Sequence, residues 1–366
     1  MESEQRDELA GFLQVLPPVE FCCVYGSALH PNNHDKSKMV DYILGVSDPE
    51  QWHSEVRLGL ELFPLTVILH GNPCLLCRSS SSFYLVFKNL RMNSDHYASW
   101  MVNLGGARLI SGVADKVGVG VHFNPFVTWN NRMLKYGVVR MHNLVQDILN
   151  WDRFYLSGRL QKPVHILVDG VDIANVNSVN LRAAISAALL LLPSNFTEKD
   201  LYAKICSLSY MGDLRMLFAE DRNKVEKIVQ GQLDLFQSMY KPFLEEYETK
   251  DWLQFTSYDN NVGKLSQACS VSATRSLVSS LPPAVRNQMG AKLGEKKISS
   301  GTGRVFSEVL VGSREEAAKC MQKVLSRKVM VSSARQAVSG FLAVGFVNGT
   351  RYLSQKMRKA WTSRTS

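Results

Sequence analysis

The chain has 366 residues, 45% of them hydrophobic and 20% charged, which excludes a disordered polymer and leaves room for two domains and a tail. Lys and Arg outnumber Asp and Glu by 42 to 33, and the resulting +9 points to an anionic partner such as nucleotide, nucleic acid or acidic lipid. The seven cysteines are odd in number and scattered, as a reducing compartment permits, and they do not form a disulfide framework. Cys74-x-x-Cys77 has no second Cys or His pair at zinc-ligand spacing.

The first twenty residues are acidic, with Arg6 their only base, and resemble neither a secretory signal nor an Arg-rich transit peptide. No stretch reaches the roughly 18 uncharged apolar residues of a spanning helix. Leu62 to Cys77 comes closest and is broken by Pro64, His70, Gly71, Asn72 and Pro73. The apolar runs Phe21 to Tyr25 and Met39 to Val46 read as strands, joined by a polar loop. VGVGVHF (117–123) and KYGVVRM (135–141) are further strand candidates, LVQDILNWDRFYL (144–156) has helical spacing, and a strand is expected over 163–168.

Residues 1–170 therefore predict an α/β or α+β domain. An Ala- and Leu-rich helix over 180–192 stops at Pro193, and Ser194, Thr197 and Glu198 mark the next helix start, so 171–250 predicts a mainly helical second domain. Residues 251–316 are rich in Ser, Gly and Asn and predict a linker with weak helices. From Ala317 to Ser366 there are ten Lys or Arg residues and no acid, alongside Val338, Phe341, Leu342, Val344, Phe346 and Trp361, a basic amphipathic segment suited to docking on an anionic membrane. A helix packed on the second domain, or an RNA-binding tail, would show the same composition; the apolar residues favour lipid over nucleic acid.

Gly26-Ser27 directly after a strand lets backbone approach a phosphate and adds a hydroxyl donor, with Tyr25 beside it. Asp41 lies fourteen residues after Ser27 inside an apolar strand, where a carboxylate requires a metal or cation as partner. A Gly-Ser followed by an acid on the next strand resembles the polymerase-beta-type nucleotidyltransferases, in which Gly-Ser grips terminal phosphates and carboxylates hold Mg2+. The usual pair of acids at i and i+2 is missing, since Met39 and Ile43 flank Asp41; Asp35 or Asp48 is a guess at the second ligand, and Asp169 at a third carboxylate. Lys135 is placed either to neutralise a triphosphate or simply to be a solvated strand lysine.

The motifs YGSA (25–28), MVDYILGV (39–46), Trp52-His53, HY (96–97), FNP (123–125), KYGVV (135–139), NW (150–151), GRLQKPV (158–164), LSYMGDLRM (208–216) and AED (219–221) occur in one order. Over residues 20 to 245 the chain resembles the mitochondrial phosphatidate cytidylyltransferase family, and within it a plant member. The resemblance implies a nucleotidyltransferase domain followed by a winged-helix-like domain. It also implies conversion of CTP and phosphatidic acid to CDP-diacylglycerol and diphosphate, for cardiolipin and phosphatidylglycerol synthesis, by a peripheral protein on the matrix side of the inner membrane. Carried over residue by residue, Gly26 and Ser27 would hold CTP phosphates, Asp41 would bind Mg2+ and Lys135 would neutralise developing charge. His53, His96, Asn124, Tyr136, Arg159, Lys162, Tyr210 and Asp213 match motif positions and are candidate nucleotide or lipid-phosphate contacts, or else buried supports of the site. Arg159 and Lys162, three residues apart, are the pair best suited to converge on one phosphate.

Val56 to Lys88, 33 residues, separates motifs that adjoin in the family. Its removal restores WHSE-NLRMNSDHY, and it reads as a retained intron translated in frame, or else as an added lid.

Overall fold

The computed structural model describes residues 3–26, 29, 39–56, 99–218, 223–259, 262–299 and 305–344. Ser27, Asp35, Cys74, Cys77, His96, nearly all of the 56–88 segment and residues 345–366 lie outside the described residues.

The described residues form an α/β chain with a mixed sheet, and they divide into two compact units. The first, residues 1–144, 164–173 and 335–354, is built on five strands: β1 (Phe21–Tyr25), β2 (Val40–Val46), β3 (Val121–Trp129), β4 (Arg132–Arg140) and β5 (His165–Asp169). Their order is β3-β4-β2-β1-β5; β2 and β4 run parallel and the other neighbours antiparallel. The β3–β4 hairpin closes through Asn130 and Asn131, whose φ values of 47° and 60° suit a two-residue turn that matches strand twist.

Because side chains alternate along a strand, each motif run is divided between the two faces of the sheet. One face carries Val24, Tyr42, Leu44, Tyr136 and Val138, buried in a core with Phe12, Trp52 and Trp129. The polar tips there find backbone acceptors: Tyr42 Oη donates to Leu9 O at 3.2 Å and Trp52 Nε1 to Pro17 O at 3.2 Å. Residues 49–56 form a helix ending on Val56, itself buried in this core, so the first residue of the expected insertion belongs to the fold.

The second unit, residues 145–163 and 174–334 with a terminal segment, is mainly helical. Helix Ile173–Leu191 buries Ala183, Ala184, Ala187 and Ala188, whose small side chains let neighbours approach closely. Helix Glu198–Leu208 starts at Thr197 as its sequence suggests; the partner in its capping box is Asp200, not Glu198. Glu198 turns inward instead, accepting from Tyr202 Oη at 3.0 Å and Gly263 N at 2.7 Å.

Two expectations are corrected here. Residues 251–316 are not a linker: β7 (Leu253–Asp259) and β8 (Val262–Gln267) join β6 (Asn195–Thr197) in the order β6-β8-β7, and β9 (Glu295–Ser299) pairs β10 (Val305–Val309). Leu253, Leu265, Leu277, Val285, Met289 and Val309 from this stretch are buried in the unit's core. Leu277, Val285 and Met289 lie on the helices Val271–Ser279 and Pro283–Leu293, while Leu253 and Leu265 lie on strands whose two-residue period is hidden inside a Ser- and Gly-rich composition. The start of the basic tail is also a packed element. Helix Arg314–Val344 buries Ala317, Cys320, Met321, Val324, Leu325 and Val329, the i, i+3, i+4, i+7 stripe of a core-facing helix.

Candidate active site

The end of β1 turns at Gly26, and strand pairing sets Tyr25 opposite Asp41 and Asp41 opposite Lys135. Paired residues of adjacent strands share a face, so the register alone brings a carboxylate and an ammonium from distant parts of the chain together. Lys135 Nζ lies 3.9 Å from Asp41 Oδ1, with the two side chains 27% and 25% exposed. Gly26 has φ of 129°, a conformation that L side chains rarely adopt, and a Cβ there would stand 3.2 Å from Met39 O and 3.6 Å from Asp41 Oδ2. Glycine thus keeps the turn tight against the carboxylate.

Phe123 completes this corner. Lys135 Nζ sits 4.2 Å from the centre of its ring, a cation–π contact that fixes the ammonium beside Asp41. The ring reaches that position because Phe123 pairs with Gly137, where a Cβ would come within 2.6 Å of Phe123 Cε1. The Gly of KYGVV therefore makes room for an aromatic from the neighbouring strand.

His53, Asn124 and Tyr136 are not brought to this corner. Tyr136 and Asn124 are mutually paired on the opposite face, and His53 meets His122 edge to face at 5.3 Å. All four are buried. Burial drives the Tyr136 phenol far above its ordinary range and the His53 ring well below its own. His122 falls from 6.5 to about 4 by the same cause, opposed by the neighbouring Asn124 side chain. These residues support the strand that carries Lys135. Asp48 and Asp169 are also absent from the corner. Asp48 lies at the other end of β2, 3.9 Å from Arg140, and accepts from Glu50 N at 3.0 Å. Asp169 pairs with Phe21 at the far end of β1 and accepts from Ile173 N at 2.6 Å, capping a helix.

In the second unit, Asp147 organises the segment that carries Arg159 and Lys162. Its Oδ1 accepts from Arg153 N and Phe154 N, both at 2.8 Å, and its Oδ2 from Tyr155 N, Leu156 N and Ser157 N at 3.1, 2.8 and 3.0 Å. A carboxylate so placed satisfies the open N–H groups of helix Leu156–Leu160. Gly158 then packs against Ser209, where a Cβ would come within 2.6 Å of Ser209 Cβ. Lys162, 3% exposed, donates from Nζ to Gly158 O at 2.6 Å and to Ser209 Oγ at 2.5 Å. Its ammonium is 4.9 Å from the centre of the Tyr210 ring, with Lys224 Nζ 5.4 Å from the same ring. Asp213 is turned away, held by Arg215 Nη2 at 2.7 Å.

Sequence reasoning passed over Phe123, Ser209, Lys224 and Asp147. Phe123 lies in the FNP motif, but its pairing with Gly137 is a register that no local pattern carries; Lys224 belongs to no motif, and only the fold reveals it.

The chain matches the family model for mitochondrial phosphatidate cytidylyltransferase over residues 9–57 and 79–359. It belongs to that family. The mouse protein of that name is 29% identical over 345 residues, covering 92% of this chain and 89% of its own length. The cattle protein is 30% identical over the same length and shares, and the fission yeast protein 28% identical over 374 residues, 99% of this chain and 86% of its own. The phosphatidate cytidylyltransferase match thus extends beyond residue 245, through the strands of 251–316 and most of the basic tail. It breaks only across 58–78, inside the stretch that the motif spacing singles out.

Proposed function

We propose that this chain transfers the cytidylyl group of CTP to phosphatidic acid, and that the Gly26–Asp41–Lys135 corner is where it does so. One observation carries the reading: the strand register of a phosphatidate cytidylyltransferase family member sets a glycine turn, a carboxylate and an ammonium together at one open strand end. A phosphate oxygen of phosphatidic acid attacks the α-phosphorus of CTP, the bond from that phosphorus to the bridging oxygen of the β-phosphate breaks, and diphosphate leaves. Lys135, steadied by Phe123, balances charge that develops on the phosphoryl oxygens. Gly26, with Ser27 after it, receives the terminal phosphates. Tyr25 borders the same turn.

Asp41 suits a divalent cation, Mg2+ by chemistry, because such ions take one or two carboxylates and complete their shell with substrate phosphates and water. Its oxygens are partly open and hard, and Gly26 leaves space beside Oδ2. Bound there, the cation would neutralise triphosphate charge. Arg159, Lys162 and Tyr210 serve anion recognition in the second unit.

The five-stranded sheet with its turn at Gly26 supports a polymerase-beta-type nucleotidyltransferase domain in the first unit. The β6-β8-β7 sheet beside helices supports a winged-helix-like second unit. The relatives' mitochondrial names support a mitochondrial location, and among the described residues no helix is long and apolar enough to cross a membrane; we place the protein peripherally on the matrix side of the inner membrane, as the resemblance implies. Trp100 Nε1 donates to Leu342 O at 2.7 Å, and Leu104 and Val338 are exposed nearby in the chain, apolar residues suited to meeting an anionic lipid surface. Cardiolipin and phosphatidylglycerol synthesis would consume the product.

Purified protein given CTP, Mg2+ and vesicles containing phosphatidic acid is expected to release CDP-diacylglycerol and diphosphate in equal amounts, with no nucleotide added to RNA. Incorporation into RNA, or absence of CTP binding by calorimetry, removes the proposal.

A further inference from the structure

We propose that Arg335 is a positioning residue for the transfer reaction: its guanidinium closes the turn that leads into β3, and so holds Phe123 where the ring steadies Lys135. This rests on the reading that Lys135 acts at the reacting phosphates, and adds to it a residue from the far end of the chain.

Residues 335–344, the end of helix Arg314–Val344, belong to the first unit together with the five-stranded sheet. Ahead of β3, helix Ser99–Gly112 runs into a wide π-helical turn, Val113–Val117. The last carbonyls of a helix have no partner within it and need donors from elsewhere. Gly118 N and Gly120 N reach back to Val113 O and Ala114 O, both at 2.8 Å. Arg335 supplies two more donors, Nε to Val117 O at 3.1 Å and Nη2 to Lys116 O at 2.6 Å. A planar guanidinium fits two neighbouring carbonyls at once, and its charge suits the negative end of a helix. One turn further along the same helix face, Ser339 closes over Gly118, where a Cβ would stand 2.8 Å from Ser339 Oγ and 2.9 Å from Ala114 O.

Only Gly118, Val119 and Gly120 separate this clasped turn from β3, and Gly120, with φ of 81°, makes the bend. Val121 and Phe123 follow on one face of the strand, and both lie over Gly137: a Cβ there would come 2.8 Å from Val121 Cγ1 and 2.6 Å from Phe123 Cε1. Whatever shifts the turn therefore carries Val121 and Phe123 along β3 together, and Phe123 is the ring 4.2 Å from Lys135 Nζ. A slip of one whole residue would send that ring to the opposite face. Arg335 itself is half-buried, so its replacement removes the two bonds and little of the core.

The test compares the parent chain with Arg335→Gln and Arg335→Lys in the assay with CTP and phosphatidic acid vesicles, with melting temperature and amide hydrogen exchange over residues 118–124 followed in parallel. Arg335→Gln is expected to lower kcat about tenfold with KM for CTP unchanged, because a misplaced charge-neutralising group costs the transition state more than the ground state. Exchange over 118–124 should quicken, and guanidinium ion added well below denaturing concentration should restore part of the lost kcat. In a Phe123→Leu background the same substitution should lower kcat no further, since the ring through which Arg335 acts is gone. An equal loss with and without Phe123 overturns the proposal, as does an unchanged kcat or unchanged exchange in Arg335→Gln. Should Arg335→Gln not fold, Arg335→Lys, which keeps the charge and gives up the two-pronged fork, carries the same comparison. A parent chain that transfers no cytidylyl group overturns the proposed function and this role with it; an active parent whose kcat is indifferent to Arg335 overturns this role alone.

Discussion

The two faces of the five-stranded sheet are made from the same motif runs and do different things. Lys135 and Tyr136 are neighbours in sequence; Lys135 reaches an open corner with Asp41, while Tyr136 is fully buried against Phe12 and Trp52. Asp41 and Tyr42 divide in the same way, Tyr42 packing on Phe12 at 5.0 Å between ring centres. A run that identifies a family therefore mixes groups that meet ligand with groups that hold the strand, and the two-residue period decides which is which.

Substitutions on the two faces should separate stability from activity. Tyr136→Ala is expected to cost about 3–5 kcal/mol of stability, as large aromatic truncations in a core do, and to leave little folded protein; chemical denaturation of the purified variant measures it. Lys135→Ala on the next residue should leave the denaturation midpoint in place and lower kcat/KM by about a hundredfold. Equal behaviour of the two variants would erase the distinction between faces. Gly137→Ala tests the link between them, since the added Cβ collides with Phe123. It should destabilise by about 1–3 kcal/mol and also lower kcat, because the ring that holds Lys135 must move. The smallest effect belongs to pH. His122 is lowered to about 4 in the folded protein against an ordinary 6.5, so the folded state binds fewer protons between those values. Its contribution to stability is present above 6.5 and is lost as pH falls toward 4, about 1 kcal/mol between pH 7 and 5.5 by linkage. His122→Asn should flatten that part of a melting-temperature profile.

Much of the corner was legible from sequence because it lies at the ends of short, uninterrupted apolar runs. The run Phe21 to Tyr25 is β1 and Val40 to Val46 is β2, and with the strands fixed, Gly26 and Asp41 fall at the same sheet edge. Lys135 could not be assigned to a face without knowing that β4 pairs β2 in parallel, a register carried by no local pattern. His53, Asn124 and Tyr136 were legible as motif residues that either meet ligand or serve as buried supports, and the sequence did not choose, since a resemblance records what a family keeps without saying why. The strands of 251–316 escaped because a half-buried hairpin needs only alternate apolar residues, here Leu253, Phe255 and Leu265 among Ser, Thr and Lys. The packed stripe of helix Arg314–Val344 was legible as amphipathic, but composition does not say whether core or lipid covers it.

The central claim is tested most directly by following the α-phosphate label of CTP into CDP-diacylglycerol with the purified chain and its Asp41→Ala variant, on vesicles containing phosphatidic acid, with melting temperatures measured in parallel. The account predicts label transfer by the parent chain and none above background by a variant that melts like the parent. Label transfer at the parent's rate by Asp41→Ala would contradict it.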